Sequence, residues 1–112
     1  MLEIEQAEEG LAEVLVLKGR VDTGTAAVLE KACLTSIEAG TRRLLLDLGE
    51  IDFVSSAGLR VFLVVAKKLG GLGGRLALCC LTRPVADVLA LSGFDRILVT
   101  APSRGEALAR IA

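Results

Sequence analysis

The run Leu44-Leu45-Leu46-Asp47-Leu48 is apolar at four of its five positions. A strand with one face in water would alternate apolar and polar residues; a near-continuous apolar strand is buried on both faces, the habit of parallel sheets covered by helices. Parallel neighbours cannot be joined by a tight turn and need a long crossover, usually a helix. A chain built around this stretch must therefore supply helices on either side of it. A short polar connection follows Leu48, and a helix begins at the pair Ser55-Ser56 and runs to Leu69.

The rest of the chain supplies the required partners. Leu2 to Gln6 alternates as a short strand, Glu8-Glu9-Gly10 marks a turn, and Leu11 to Leu17 reads as a second strand ended by Gly19 to Asp22, so a hairpin opens the chain. A helix is expected over Thr25–Ala39, with Leu29, Cys33 and Ile37 on one face and Gly40 as its stop. After the central helix come the connector Gly70-Gly71-Leu72-Gly73-Gly74 and a strand over Arg75–Leu81. A helix capped by Thr82, with Pro84 in its first turn, then runs to Ser92 and stops at Gly93. A last strand over Ile97–Thr100 precedes a helix opened by a capping box of Ser103 and Glu106. The order ββαβαβαβα predicts one α/β domain over residues 1–112, a mixed and mostly parallel sheet with about four helices.

Composition excludes several classes of function. The chain of 112 residues has no histidine, which removes histidine bases, the Ser-His-Asp arrangement and most zinc sites. The serine pair therefore lacks the base of a hydrolase, and no catalytic residue or cofactor is expected. A net charge of −1 with no Trp or Tyr gives no footprint for nucleic acid. Mean hydropathy is high, +0.61, yet no unbroken apolar run is longer than that from Val61 to Ala66, far short of the roughly 20 residues of a membrane span. The acidic start MLEIEQAEEG does not resemble a signal peptide, and a cytoplasmic protein is expected. Cys33, Cys79 and Cys80 form no metal-binding spacing; they read as small buried residues of a reducing compartment, with a redox role as the alternative. The glycine-rich connector follows a helix and precedes a strand, the reverse of the order that phosphate-binding loops require.

Chemistry concentrates at the start of the central helix. A serine before a helical run caps it through its side-chain oxygen. The same terminus carries the positive end of the helix dipole and suits an anion or a phosphorylated side chain. Gly58 in the first turn permits close approach of another group. On a helical wheel Leu59, Phe62, Leu63, Ala66 and Leu69 face the sheet. The opposite face carries Arg60, Lys67 and Lys68 with Ala57, Val61 and Val64 among them. Small apolar residues ringed by cations point to a docking surface for a partner apolar at its centre and acidic at its rim.

Val21-Asp22, Leu46-Asp47-Leu48 and Asp52-Phe53-Val54-Ser55-Ser56-Ala57-Gly58-Leu59 resemble the STAS domain family, more narrowly the small bacterial anti-sigma factor antagonists. The likeness continues through Leu91-Ser92-Gly93-Phe94-Asp95-Arg96-Ile97 and Glu106-Ala107-Leu108. It implies a phosphorylation-switched binding module. The unphosphorylated form would hold an anti-sigma factor with serine kinase activity and so free a sigma factor; phosphorylation would end binding, and a protein phosphatase would reset it. The resemblance places the modified residue at Ser56, with Ser55 as the alternative because it stands where family members often carry Asp. Ala57 occupies a site where others have a second Ser or Thr, and Asp22 matches an acidic residue near the phosphosite. A second reading is a STAS subunit that scaffolds a lipid-transport ATPase complex or a stress-sensing assembly, with the same helix face as permanent glue.

Overall fold

The computed structural model describes residues 1–112. Strands β1 (Leu2–Glu9) and β2 (Ala12–Val21) form the opening hairpin, followed by helix α1 (Ala26–Glu38) and strand β3 (Arg43–Val54). Then come α2 (Ser56–Gly71), β4 (Arg75–Cys79), α3 (Arg83–Ser92), a short 3-10 turn at Phe94–Arg96, β5 (Val99–Ala101) and α4 (Arg104–Ile111). The strands lie in the order β1-β2-β3-β4-β5, with β1 antiparallel to β2 and all other pairs parallel, as expected for a mixed sheet opened by a hairpin.

From β2 to β5 each crossover steps one strand in the same direction, and crossovers are right-handed. Helices α1, α2 and α3 therefore share one face of the sheet. Their Leu29, Cys33, Ile37, Phe62, Val65, Val85 and Leu89 pack with Leu15, Leu17, Leu44, Leu46, Leu48 and Leu78 in one core. The intervening Val14, Leu45, Ala77 and Cys79 point the other way and are covered by Ala107 and Ile111 of α4. The leucine run is thus buried on both sides, as its composition demands. Its one polar residue, Asp47, is answered by Arg104 of α4, whose Nε lies 2.8 Å from Oδ2. That hydrogen bond raises the Arg104 pKa despite the desolvation that lowers it.

Several boundaries differ from the sequence reading, each for a local reason. Strand β3 does not end at Leu48 but continues to Val54, still paired with β2. Two irregularities, between the pairs Val16↔Asp47 and Lys18↔Glu50 and between Gly19↔Ile51 and Val21↔Val54, each insert one extra β3 residue. The buried positions Leu48, Ile51 and Val54 consequently recur every third residue, which hides the period of two by which strands are recognised. Strand β2 likewise runs through Gly19 to Val21 instead of stopping there.

At the other end, β4 stops at Cys79, because Cys80 turns to φ 62°. The last strand is Val99–Ala101, and Ile97 is exposed beyond the 3-10 turn. Thr82 occupies the cap position of α3 but gives its hydroxyl to the carbonyl of Ile51 at 2.6 Å instead of capping. Ser103 does cap α4, accepting from the Glu106 amide at 3.2 Å, while the return bond of the expected capping box is not made. No helix is long and apolar enough to cross a membrane.

Candidate functional site

The bulges in β3 deliver Val54 into the core and leave the next residue at the C-terminal end of this central strand, where α2 begins. Ser55 is extended (φ −84°, ψ 174°), and its N–H donates to the Val21 carbonyl at 2.8 Å. Its hydroxyl accepts from the Gly58 amide at 3.3 Å, and its carbonyl takes the Leu59 amide at 3.0 Å. Ser55 is therefore the N-cap, its hydroxyl already engaged. Ser56, the first helical residue, is exposed and leaves its hydroxyl to solvent at the positive end of the helix.

Gly58 is a steric requirement. A Cβ there would lie 2.7 Å from Val21 Cγ1, 2.9 Å from Val54 Cγ1 and 3.1 Å from the Val21 carbonyl oxygen. Gly58→Ala is expected to destabilise the fold by about 1–3 kcal/mol, overpacking outweighing the helix preference for alanine. Urea unfolding measures it, and an unchanged midpoint would contradict the close approach.

Asp22 follows the carbonyl that receives Ser55. Its Oδ1 accepts from the Thr25 amide at 3.0 Å and the Thr25 hydroxyl at 3.2 Å, and its own amide donates to Thr25 Oγ1 at 2.9 Å. These bonds tie the loop that opens α1, so Asp22 has a structural role beside the site. Partial desolvation pushes its pKa up, but the Thr25 hydroxyl, the Thr25 and Gly24 amides and Arg20 together outweigh this and hold it below its ordinary value of 3.8. A carboxylate favoured in the folded state adds stability above pH 3.8 that is lost as pH falls through the folded value. The gap in melting temperature between wild type and Asp22→Asn should therefore narrow on acidification below pH 4, about the ordinary carboxyl pKa. A gap that persists unchanged to pH 2, about two units lower, would show that the carboxylate charge is irrelevant.

The outer face of α2 is only partly as expected. Ser56, Arg60, Lys67 and Lys68 are exposed, Val64 is 38% exposed, and Ala57 is half-buried. Val61 is not on this face: it is buried in the core shared with Leu29 and Cys33 of α1. Because α1 packs along that flank, the buried arc of α2 is wider than one sheet-facing stripe. Leu63, placed against the sheet by the wheel, is half-buried at the opposite margin. The apolar centre thus shrinks to Val64 with Ala57 and Leu63 at its edges.

The sequence reading also missed a neighbour. Phe53 is 42% exposed just before the cap, with the Arg20 guanidinium 4.7 Å from its ring centroid and Arg20 Nε 3.5 Å from Asp22 Oδ2. An aromatic two residues before Ser55, in a chain with three Phe, was the available signal.

A mixed five-stranded sheet with a capped helix rising from its third strand has clear counterparts. BtrV of Bordetella bronchiseptica, whose name describes an anti-sigma factor antagonist, is 44% identical over 96 residues, covering 86% of this chain and 83% of BtrV. The crystal structure of an anti-sigma factor antagonist from Mycobacterium paratuberculosis superposes with a TM-score of 0.88 at 22% identity, over 99% of this chain and 94% of that one. The anti-sigma factor antagonist SpoIIAA gives 0.79 at 20% identity in its unphosphorylated form, over 96% and 95% of the two chains. Its phosphorylated form, from Bacillus, gives 0.70 at 19% identity, over 98% of both. The STAS domain model matches residues 3–107, nearly the whole length, and the chain belongs to the STAS domain family.

Proposed function

We propose that the chain is an anti-sigma factor antagonist: a binding module that holds an anti-sigma factor through the outer face of α2 and lets go when Ser56 is phosphorylated. The observation that carries this reading is the division of labour between the two serines. Ser55 Oγ is tied to the Gly58 amide, whereas the Ser56 hydroxyl is free and exposed one turn before Arg60, with Lys67 and Lys68 about three turns from Ser56 along the helix. Phosphorylation adds about −1.5 to −2 charges at neutral pH. At a helix N-terminus that charge is stabilised, so the fold can stay as it is while the face changes. Arg60 lies four residues on, one turn along the same side, where its guanidinium can pair with the phosphate and be withdrawn from an acidic partner.

Kinase activity in the anti-sigma factor and a phosphatase that resets Ser56 complete the cycle. Incubated with its cognate anti-sigma kinase and ATP, the protein should gain one phosphate by intact mass. Ser55→Ala should still be labelled, and Ser56→Ala should not. Labelling retained in Ser56→Ala would move the site elsewhere.

A further inference from the structure

On the opposite face of the sheet from α2, three potential ligands meet that the sequence keeps apart. Neighbouring residues of a strand point to opposite faces. Cys79 ends β4 in register with Asp47 of β3, and regular continuation would send the Cys80 side chain away from both. Instead Cys80 adopts φ 62°, the one positive φ among the non-glycine residues, held by the hydrogen bond its N–H donates to the Ala101 carbonyl at 3.1 Å. The Asp47 carboxylate and the Cys79 and Cys80 sulfurs then lie within 4.8 Å of one another. Left-handed conformations are uncommon outside glycine, and such strain concentrates at functional positions.

We infer that Asp47, Cys79 and Cys80 form a binding site for a thiophilic divalent cation, with zinc as the natural occupant. Zinc bonds of about 2.3 Å to sulfur and about 2.0–2.2 Å to oxygen set tetrahedral ligand atoms roughly 3.5–3.8 Å apart, so side-chain adjustment suffices to close the set. Two thiolates select a zinc-like ion over magnesium or calcium. The carboxylate is oriented from behind, with the Gly49 amide 2.9 Å from Oδ1 and Arg104 Nε 2.8 Å from Oδ2. Each oxygen retains a lone pair, and outer contacts of this kind fix a metal ligand's direction. On binding, both thiol protons pass to solvent. The two thiolates and the carboxylate then balance the cation and the Arg104 guanidinium. Cys79 is buried, but Cys80 is only half-buried and Gly49 is exposed, leaving an entry path and room for water as a fourth ligand. Cys33 lies in the other core, on the far side of the sheet, and serves as an internal control.

The test titrates metal-free, phosphine-reduced protein with cadmium and follows the ultraviolet sulfur-to-cadmium band, with zinc as competitor. Saturation at one cadmium per chain, displaced by zinc, is expected. Cys33→Ser should leave the band intact, Cys80→Ser should abolish it, and Asp47→Asn should weaken binding by about tenfold or more. Circular dichroism verifies that Cys80→Ser, at a half-buried position, remains folded. No saturable band, or an undiminished one in folded Cys80→Ser, overturns the site.

Discussion

Ser56→Asp is expected to weaken binding to the anti-sigma factor by at least about a hundredfold, a loss near 2.7 kcal/mol, while leaving the fold intact. The two outcomes have one origin. A carboxylate at the first position of α2 sits where the helix dipole favours negative charge, so stability should change by no more than about 0.5 kcal/mol. The same carboxylate adds a desolvation cost to any interface that covers it, and it draws Arg60 one turn along the face. Calorimetry with the purified partner measures the first effect and thermal melting the second. Ser56→Ala should bind as the wild type does. Ser55→Ala removes the cap on the Gly58 amide and should lower stability by about 0.5–2 kcal/mol, with binding by the folded protein retained. Undiminished heat with Ser56→Asp would remove the charge switch.

Phe62→Ala is expected to have the largest effect on folding, about 3–5 kcal/mol. Phe62 is fully buried and is the largest side chain in the core between the helices and the sheet. Against a total stability of about 5–15 kcal/mol for a domain of ordinary size, that loss removes a large share of what keeps the protein folded. It also separates core from face. Phe62 has no exposed surface to offer a partner, so a variant stabilised by osmolyte should bind normally. Arg60→Ala should do the reverse, with stability kept within about 0.5 kcal/mol and binding reduced. Chemical denaturation beside the same calorimetry distinguishes them, and a Phe62→Ala loss below about 1 kcal/mol would contradict the tight packing assigned to this site.

The elements that could be read in the sequence were those whose signal is local. Leu44 to Leu48 announced a doubly covered strand; Leu29, Cys33 and Ile37 gave the inner face of α1; Gly93, at φ 79°, ended α3. Where the reading failed, a neighbour had intervened. Leu48, Ile51 and Val54 lost their period of two to bulges that exist only because β3 pairs with β2. Val61 belonged to the docking face on an isolated wheel and to the core once α1 lay against it.

The candidate site divides in the same way. That a serine stands at the mouth of the central helix is written in the order of the residues, because capping preference and dipole act within a single turn. Which of the two hydroxyls is free follows from the backbone of β2, whose Val21 carbonyl fixes the Ser55 amide and so commits Ser55 to the cap. The meeting of Asp47 with Cys79 and Cys80 has no trace in linear spacing, since strand pairing joins residues 32 and 33 positions apart. Propensity, capping and periodicity are properties of consecutive residues and survive in the one-dimensional string. Burial, register and the company a side chain keeps come from distant segments, and they arise only when the sheet assembles.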